Sequence, residues 1–307
     1  MHSGSLYKRF LRRLGRKVFY ALRGITKCLP YWLFRVIKPF FVVAGMLFVG
    51  RRKHIVLENL QAAFGSDKTK REINGIACDW FKNMSSGMIE LIYLIDRPEE
   101  IRKRVTLEGK ENLDAALAKG RGVILLSAHF GNFVLMLLRM ALAGYKTNYI
   151  MRRMKDEEFR EYVYNYCSEH GVHTRYSSPF RECVEQSFKT LRNNELLFML
   201  LDQNHADSSG VFVDFFGKLA ATATGPVVFS NRSKTPILPI FIVSEGADRH
   251  KIIIEPPVRF EAPQREDMSL EHNTAQLTKI IEGYIRRYPQ EWGGWMHLRW
   301  KTKMPIP

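Results

Sequence analysis

Two side chains in this sequence are placed to work as an acid–base pair. His129 lies in Gly122-Val-Ile-Leu-Leu-Ser-Ala-His129-Phe-Gly-Asn132, where the apolar run Val123 to Leu126 reads as a strand buried on both faces. A residue just beyond the carboxyl end of such a strand sits in the crevice where open α/β sheets hold their ligands. Asp202 follows a second apolar run, Leu196 to Leu201, and is expected at a comparable strand end. Brought together, the two would make a general base. The carboxylate fixes the imidazole tautomer and stabilises the imidazolium that forms as a hydroxyl loses its proton. Each residue also has an ordinary reading, as a packed histidine and as a turn-capping aspartate.

The turn after His129 adds an anion-binding element. Phe133 to Leu142 is predicted as a largely buried helix, so Gly131 and Asn132 fall at its N-terminus, where backbone N–H groups favour negative charge. Arg152 and Arg153 follow a third apolar run, Thr147 to Met151; they either hold a phosphate in the same crevice or form a solvated pair. The sequence has no G-x-S-x-G, no G-x-G-x-x-G, no phosphate loop and no H-E-x-x-H. His170 and His173 lack the acid or cysteine neighbours of a metal site, and no metal is expected.

The elements that must position these groups alternate along the chain. Helices are predicted over Lys53–Ala63 and Lys68–Ile95, the second capped by Ser66 or Asp67. A short strand, Val105 to Gly109, and a short helix, Glu111 to Ala118, lead to the His129 strand and its helix. Then come the strand Thr147–Met151, a helix from Asp156 to His170 ended by Gly171, and a helix from Pro179 to Arg192. The strand from Glu195 to Leu201 is followed by an edge strand, Val211 to Phe216, and a helix, Pro226 to Lys234. Strands Ile237–Val243 and Lys251–Ile254 and a helix from Met268 to Tyr288 finish the pattern. Such alternation predicts an α/β fold with a single mainly parallel sheet flanked by helices. With 46% hydrophobic and 25% charged residues over 307 positions, the chain is globular, and residues 53–307 read as one catalytic domain.

Charge sets the N-terminus apart. Of 47 Lys/Arg, 13 lie in residues 1–57, which contain no acid; the remaining 34 face all 31 Asp/Glu. Leu6, Phe10, Leu14, Val18 and Leu22 recur every fourth residue among these basic ones, giving a basic amphipathic helix suited to a membrane interface. A plain surface helix docked on the core is the alternative. Phe40 to Val49 is an unbroken apolar stretch about half a membrane span long, with Arg35 and Lys38 before it and Arg51-Arg52-Lys53 after it. Basic flanks on both sides keep both ends on the cytoplasmic face, so residues 5–50, within a membrane-association segment of residues 1–52, are expected to dip into one leaflet. A signal peptide fits poorly, because the basic region is long and Gly50-Arg51-Arg52 follows the apolar run. Nucleic acid, the usual partner of a basic segment, leaves the apolar stripe unexplained. Four dispersed cysteines suggest neither disulfides nor zinc.

Several of these pieces, in order, resemble the lipid A secondary (lauroyl/myristoyl-type) acyltransferases and the related bacterial lysophospholipid and mannoside acyltransferases. They are Arg51-Arg52-Lys53 with Glu58-Asn59-Leu60, Leu107-Glu-Gly109, Ser127-Ala-His129-Phe-Gly-Asn132, Met151-Arg152 and Asp202-Gln203. Gly210 to Gly217, Ala221 to Gly225, and Arg287-Tyr-Pro-Gln-Glu-Trp292 with Trp295-Met-His-Leu-Arg-Trp300 complete the likeness. The resemblance implies a glycerolipid-acyltransferase-like fold and an enzyme of the bacterial inner membrane. It would move a fatty acyl chain from an acyl carrier protein or coenzyme A thioester to a glycolipid or lysolipid hydroxyl. His129 would then be the base, Asp202-Gln203 the matching acidic motif, and amides near Gly131 and Asn132 the oxyanion donors. Acyl carrier proteins are acidic, so basic surface would steer one in. The family pattern places Asp or Glu five residues after the histidine, where this chain has Val134. Asp202 is then left as the carboxylate, the alternative being a non-catalytic lipid-binding or assembly protein that keeps the fold.

Overall fold

The computed structural model describes residues 3–49, 52–205, 210–246, 248–261 and 269–302. Five helices come first: α1 (Ser3–Cys28), α2 (Tyr31–Val49), α3 (Lys53–Phe64), α4 (Lys70–Leu94) and α5 (Pro98–Arg104). The chain continues through β1 (Val105–Glu108), α6 (Lys110–Leu117), β2 (Val123–Ser127), α7 (Phe133–Leu142), β3 (Thr147–Met151) and α8 (Glu157–Glu169). Next are β4 (Val172–Tyr176), α9 (Phe180–Arg192), β5 (Leu196–Leu200), β6 (Val211–Phe215) and β7 (Lys218–Thr222). Finally come α10 (Gly225–Ser233), β8 (Ile237–Gly246), β9 (Arg249–Ile254), α11 (Ser269–Arg287) and two 3-10 turns, Pro289–Glu291 and Gly293–Met296.

Seven strands form one sheet in the order β1-β9-β8-β2-β5-β3-β4, parallel throughout except between β8 and β9. β2 is buried along its whole length. Successive side chains of a strand point to opposite faces, so Ile124 and Leu126 enter one core with Phe64, Trp80 and Ile281, while Val123 and Leu125 enter the other with Leu135 and Ile240.

Departures from the sequence expectation have local causes. The cap of α4 is Thr69, not Ser66 or Asp67: its hydroxyl accepts the Glu72 N–H while Glu72 reaches back to the Thr69 N–H, a reciprocal capping box. β4 is an unexpected edge strand whose half-buried His173 and Arg175 hide its alternation. β6 belongs to a separate hairpin with β7, which is rich in alanine and reads poorly as a strand. Phe216 and Gly217 turn that hairpin, both at positive φ.

Helix α1 meets the body with its polar side. Arg16 pairs with Asp156 at 2.5 Å and Glu158 at 2.6 Å, Arg23 makes a two-pronged contact with Asp96, and Phe19 sets its edge against Phe159 and Tyr162. The apolar residues Phe10, Leu14, Val18 and Ile25 are exposed. On α2, Phe34 stacks on Tyr93 at 4.0 Å and Lys38 binds both Glu90 and Asp248, while Trp32, Val36, Phe40 and Val43 line the outer face. An amphipathic surface helix ordinarily turns its apolar stripe inward; here Phe10, Leu14 and Val18 of the stripe face out, while Leu22 packs toward α2 and α4. Among the described residues, no helix is long and apolar enough to cross a membrane. Gly50 and Arg51, at the end of the expected membrane segment, lie outside the described residues.

Candidate active site

β2 and β5 are parallel neighbours with Ser127 opposite Leu200, and Leu201 extends the ladder by donating its N–H to Ser127 O at 3.1 Å. His129 and Asp202 each stand two residues past their strands, so the same register sets them face to face. Beyond β2 the chain buries Ala128 and Phe130 on either side of His129, turning the imidazole toward the crevice. Gly131 then bends the chain at φ 53°, where a Cβ would sit 2.2 Å from Ile242 O; no other residue fits there without movement. Asn132 starts α7, accepting the Leu135 N–H at 3.3 Å and donating to Gly87 O at 3.0 Å.

Asp202 Oδ1 lies 2.9 Å from His129 Nδ1, and Asp202 Oδ2 accepts the His129 backbone N–H at 3.1 Å and the Trp292 indole N–H at 2.8 Å. An ionised carboxylate only accepts, so Nδ1 carries the ring proton and Nε2 keeps its lone pair. Gln203 Nε2 sits 3.2 Å from that nitrogen and donates to it. The Asp202 side chain is 0% exposed and the His129 side chain 28%. Burial alone would push the Asp202 carboxyl up, but the positive charge of His129 and the three donors overcome it and hold the group at about 2. For His129, burial opposes protonation, yet the Asp202 charge and bond outweigh it and leave the imidazole above its ordinary value. The arrangement can take a proton from a hydroxyl that replaces Gln203 at Nε2.

Two C-terminal residues hold the pair in place. Trp292 is fully buried and fixed by the Trp80 indole, which donates to Trp292 O at 2.8 Å. Gly293 N–H donates to His129 O at 2.6 Å, and Gly294 allows the Trp292 ring to approach, since a Cβ there would lie 2.1 Å from it. Arg299, 1% exposed, donates to Gln203 O, to Ala221 O at 2.6 Å and to Thr222 Oγ1 at 2.6 Å, tying the turn after β5 to β7. Burial lowers its pKa to about 10, with the Asp202 charge opposing.

The other expected residues are placed differently. The Gly131 N–H donates to Glu291 O at 2.7 Å, so it is committed to the protein and does not face an anion. The Asn132 side chain is occupied by its helix cap and α4. Arg152 is exposed one residue past β3, separated from β2 by β5, and its neighbour Arg153 donates to Ser178 O at 3.1 Å. Val134 lines a cavity of about 160 Å³ with Ser86, Glu90, His250 and Glu291, so the position expected to be acidic opens on a different space from the His129–Asp202 contact. Trp292, His297 and Arg299 escaped the reading of the sequence as site residues. Their signal is the cluster of three Trp and an Arg within Trp292 to Trp300, because buried indoles and guanidinium groups need partners.

The chain matches the family described as bacterial lipid A biosynthesis acyltransferase over residues 8–302. It is 25% identical over 265 residues to the lipid A biosynthesis palmitoleoyltransferase of Escherichia coli (strain K12), covering 83% of this chain and 81% of the relative. The lipid A biosynthesis myristoyltransferase of the same organism is 23% identical over 290 residues, 93% of this chain and 86% of the relative. A phosphatidylinositol mannoside acyltransferase of Mycobacterium tuberculosis is 27% identical over 139 residues, 45% of this chain and 44% of the relative. The crystal structure of the 1-acyl-sn-glycerophosphate (LPA) acyltransferase from Thermotoga maritima superposes with a TM-score of 0.39 at 13% identity, covering 82% of this chain and 98% of that one, too loosely to establish a shared fold. The strand-end arrangement thus occurs in a chain that belongs to the family of bacterial lipid A biosynthesis acyltransferases.

Proposed function

We propose that this acyltransferase moves a fatty acyl chain from an acyl carrier protein or coenzyme A thioester to a hydroxyl of a lipid A-type glycolipid or a lysolipid. His129 is its general base and Asp202 the carboxylate that orients and charges it. The observation that carries this reading is the 2.9 Å contact of His129 Nδ1 with a fully buried Asp202, itself held by Trp292. Nε2 takes the acceptor's hydroxyl proton as the oxygen forms a bond to the thioester carbonyl carbon. The tetrahedral intermediate collapses, the C–S bond breaks, and the thiolate recovers the proton from the imidazolium. No nucleophile on the protein is needed. Asp202 serves where Val134 stands in for the family's acid, and Gln203, at 3.2 Å from Nε2, marks where the hydroxyl enters. Arg152, further along the same sheet edge, is offered as a contact for an acceptor phosphate, and the turn at Gly131 and Asn132 as the wall of the substrate crevice.

Residues 1–52 hold the 53–307 acyltransferase domain on the cytoplasmic leaflet of the bacterial inner membrane. Support comes from the outward apolar faces of α1 and α2, which the basic residues between them would complement over anionic headgroups. The same positive charge would draw an acidic acyl carrier protein. The test is transfer of a radiolabelled acyl chain, from coenzyme A and from acyl carrier protein, to a lysophospholipid and to a lipid A precursor. Transfer is expected with the wild type and should be lost in His129→Ala; undiminished transfer by that variant refutes the base.

A further inference from the structure

Acyl transfer leaves negative charge on the thioester carbonyl oxygen, and a donor aimed at that oxygen is usually the largest single contribution to such a reaction. Of the amides expected from the sequence near Gly131 and Asn132, that of Gly131 is engaged by Glu291 O. A second imidazole stands nearby instead. The His297 ring lies 6.2 Å from the His129 ring, centroid to centroid, inclined at 54°. The side chain is exposed at the mouth of the crevice, while its backbone is held from several directions. Asn59 Nδ2 donates to Trp295 O at 2.8 Å and to His297 O at 2.9 Å, His297 N donates to Gly294 O at 2.9 Å, and Arg299 N donates to His297 O at 3.0 Å.

We infer that His297 donates a ring N–H to the carbonyl oxygen of the acyl thioester, supplying the oxyanion contact that Gly131 does not. The inference rests on the acyl-transfer reading above. Hydroxyl oxygen and carbonyl oxygen become attached to the same carbon in the intermediate, and each lies about 2.7–3.1 Å from its imidazole. Two such reaches, joined through one tetrahedral carbon, span two rings whose centroids lie 6.2 Å apart. As the acceptor oxygen bonds to the carbonyl carbon, the π electrons move to the carbonyl oxygen, which accepts the His297 N–H; when the C=O re-forms, the C–S bond breaks and the contact relaxes. No proton leaves His297. Partial desolvation, the His129 charge and Arg52 lower its pKa below the ordinary histidine value, the Asp202 charge opposing, which favours the neutral ring. A neutral donor costs the site no second cation beside the imidazolium at His129.

The experiment measures kcat and KM for radiolabelled acyl thioester with lysophospholipid in detergent micelles, using the full chain and the variants His297→Ala, His297→Phe, His297→Gln and His129→Ala. Loss of one oxyanion donor is expected to lower kcat about 10²–10³-fold in His297→Ala and His297→Phe with little change in KM. His297→Gln, which keeps an N–H, should recover at least about tenfold of that loss. Because the side chain is exposed, melting temperatures should match the wild type. A His297→Ala enzyme within about threefold of wild type overturns the inference, as does a loss that is confined to KM or that Gln fails to restore. Loss of transfer in His129→Ala alongside an unaffected His297→Ala leaves the base standing and removes only the oxyanion role; an active His129→Ala overturns both.

Discussion

Replacing Asp202 by Asn keeps the shape of the site and inverts its hydrogen bonding. In the native site one carboxylate oxygen accepts two N–H groups, from the His129 backbone and Trp292, and the other accepts His129 Nδ1–H. Asn has one accepting oxygen. Placed against the two N–H groups, it presents its amide NH₂ to Nδ1, which must then accept. The ring proton moves to Nε2, and the nitrogen facing the hydroxyl is no longer a base. Turning the amide over restores Nδ1–H but sets NH₂ against two buried donors, about 1–3 kcal/mol for each one left unpaired. General-base assistance is worth about 10²–10⁴-fold, and tenfold corresponds to about 1.4 kcal/mol, so kcat should fall by that factor, about 3–5 kcal/mol of barrier. The assay is single-turnover transfer from a labelled thioester, with circular dichroism and a thermal melt as controls for folding. A folded Asp202→Asn enzyme within threefold of wild type would refute the tautomer argument. So would a loss expressed only in KM, because the carboxylate is buried behind the imidazole and out of substrate's reach.

Four further outcomes follow from the structure. His129 must be neutral to act, and its pKa is raised in the folded protein, so the rate should fall on the acid side with a midpoint above pH 6.5, the ordinary histidine value; in Asp202→Asn the midpoint should move down. Conversely, the Asp202 carboxyl is held at about 2 against an ordinary 3.8, so its contribution to stability is present above pH 3.8 and lost as pH falls toward 2, to be read from denaturant midpoints of wild type and Asp202→Asn. Val134→Glu should not raise kcat, since His129 Nδ1 is already paired; it adds a carboxylate to a cavity shared with Glu90 and Glu291 and should lower stability by about 1–3 kcal/mol, visible in a thermal melt. A gain in activity would instead show that Asp202 does not serve. Replacing Phe10, Leu14 and Val18 together by Ser should leave the melting temperature unchanged, because these side chains face outward, but weaken sedimentation with anionic vesicles by at least about 10²-fold, at about 1.5–3 kcal/mol per lost side chain. Unchanged vesicle binding would count against α1 as the anchor.

Much of the fold was readable because its elements carry strong local patterns. The unbroken apolar runs before His129 and Asp202 are short and bounded by turn residues, which favours a buried strand over a helix, and α7 and β3 span the residues that the sequence assigns to them. Elements with mixed composition escaped. β7 is a strand only because β6 pairs with it, and β4 is an edge whose polar half faces outward. For α5 the residues around Pro98 carry a helix-start signal, yet the segment is a bare seven residues and has little periodicity to read.

Residue order alone places a histidine and an aspartate each at the end of a buried strand and gives the N-terminal helix one apolar and one basic face. Both are short-range facts, set by unbroken apolar runs in the one case and a four-residue repeat in the other. What these features meet depends on contacts between segments far apart in the chain. The pairing of His129 with Asp202 depends on β2 and β5 being neighbours in one register, with the partners 73 positions apart in sequence, a relation no local pattern encodes. Trp292 reaches Asp202 from 90 residues away, and Glu291 takes the amide of Gly131, because the chain's last turns fold back onto the mouth of the sheet. The face that α1 turns outward is likewise settled by acids elsewhere, Asp96 and Asp156, which draw its arginines inward and leave the apolar stripe exposed.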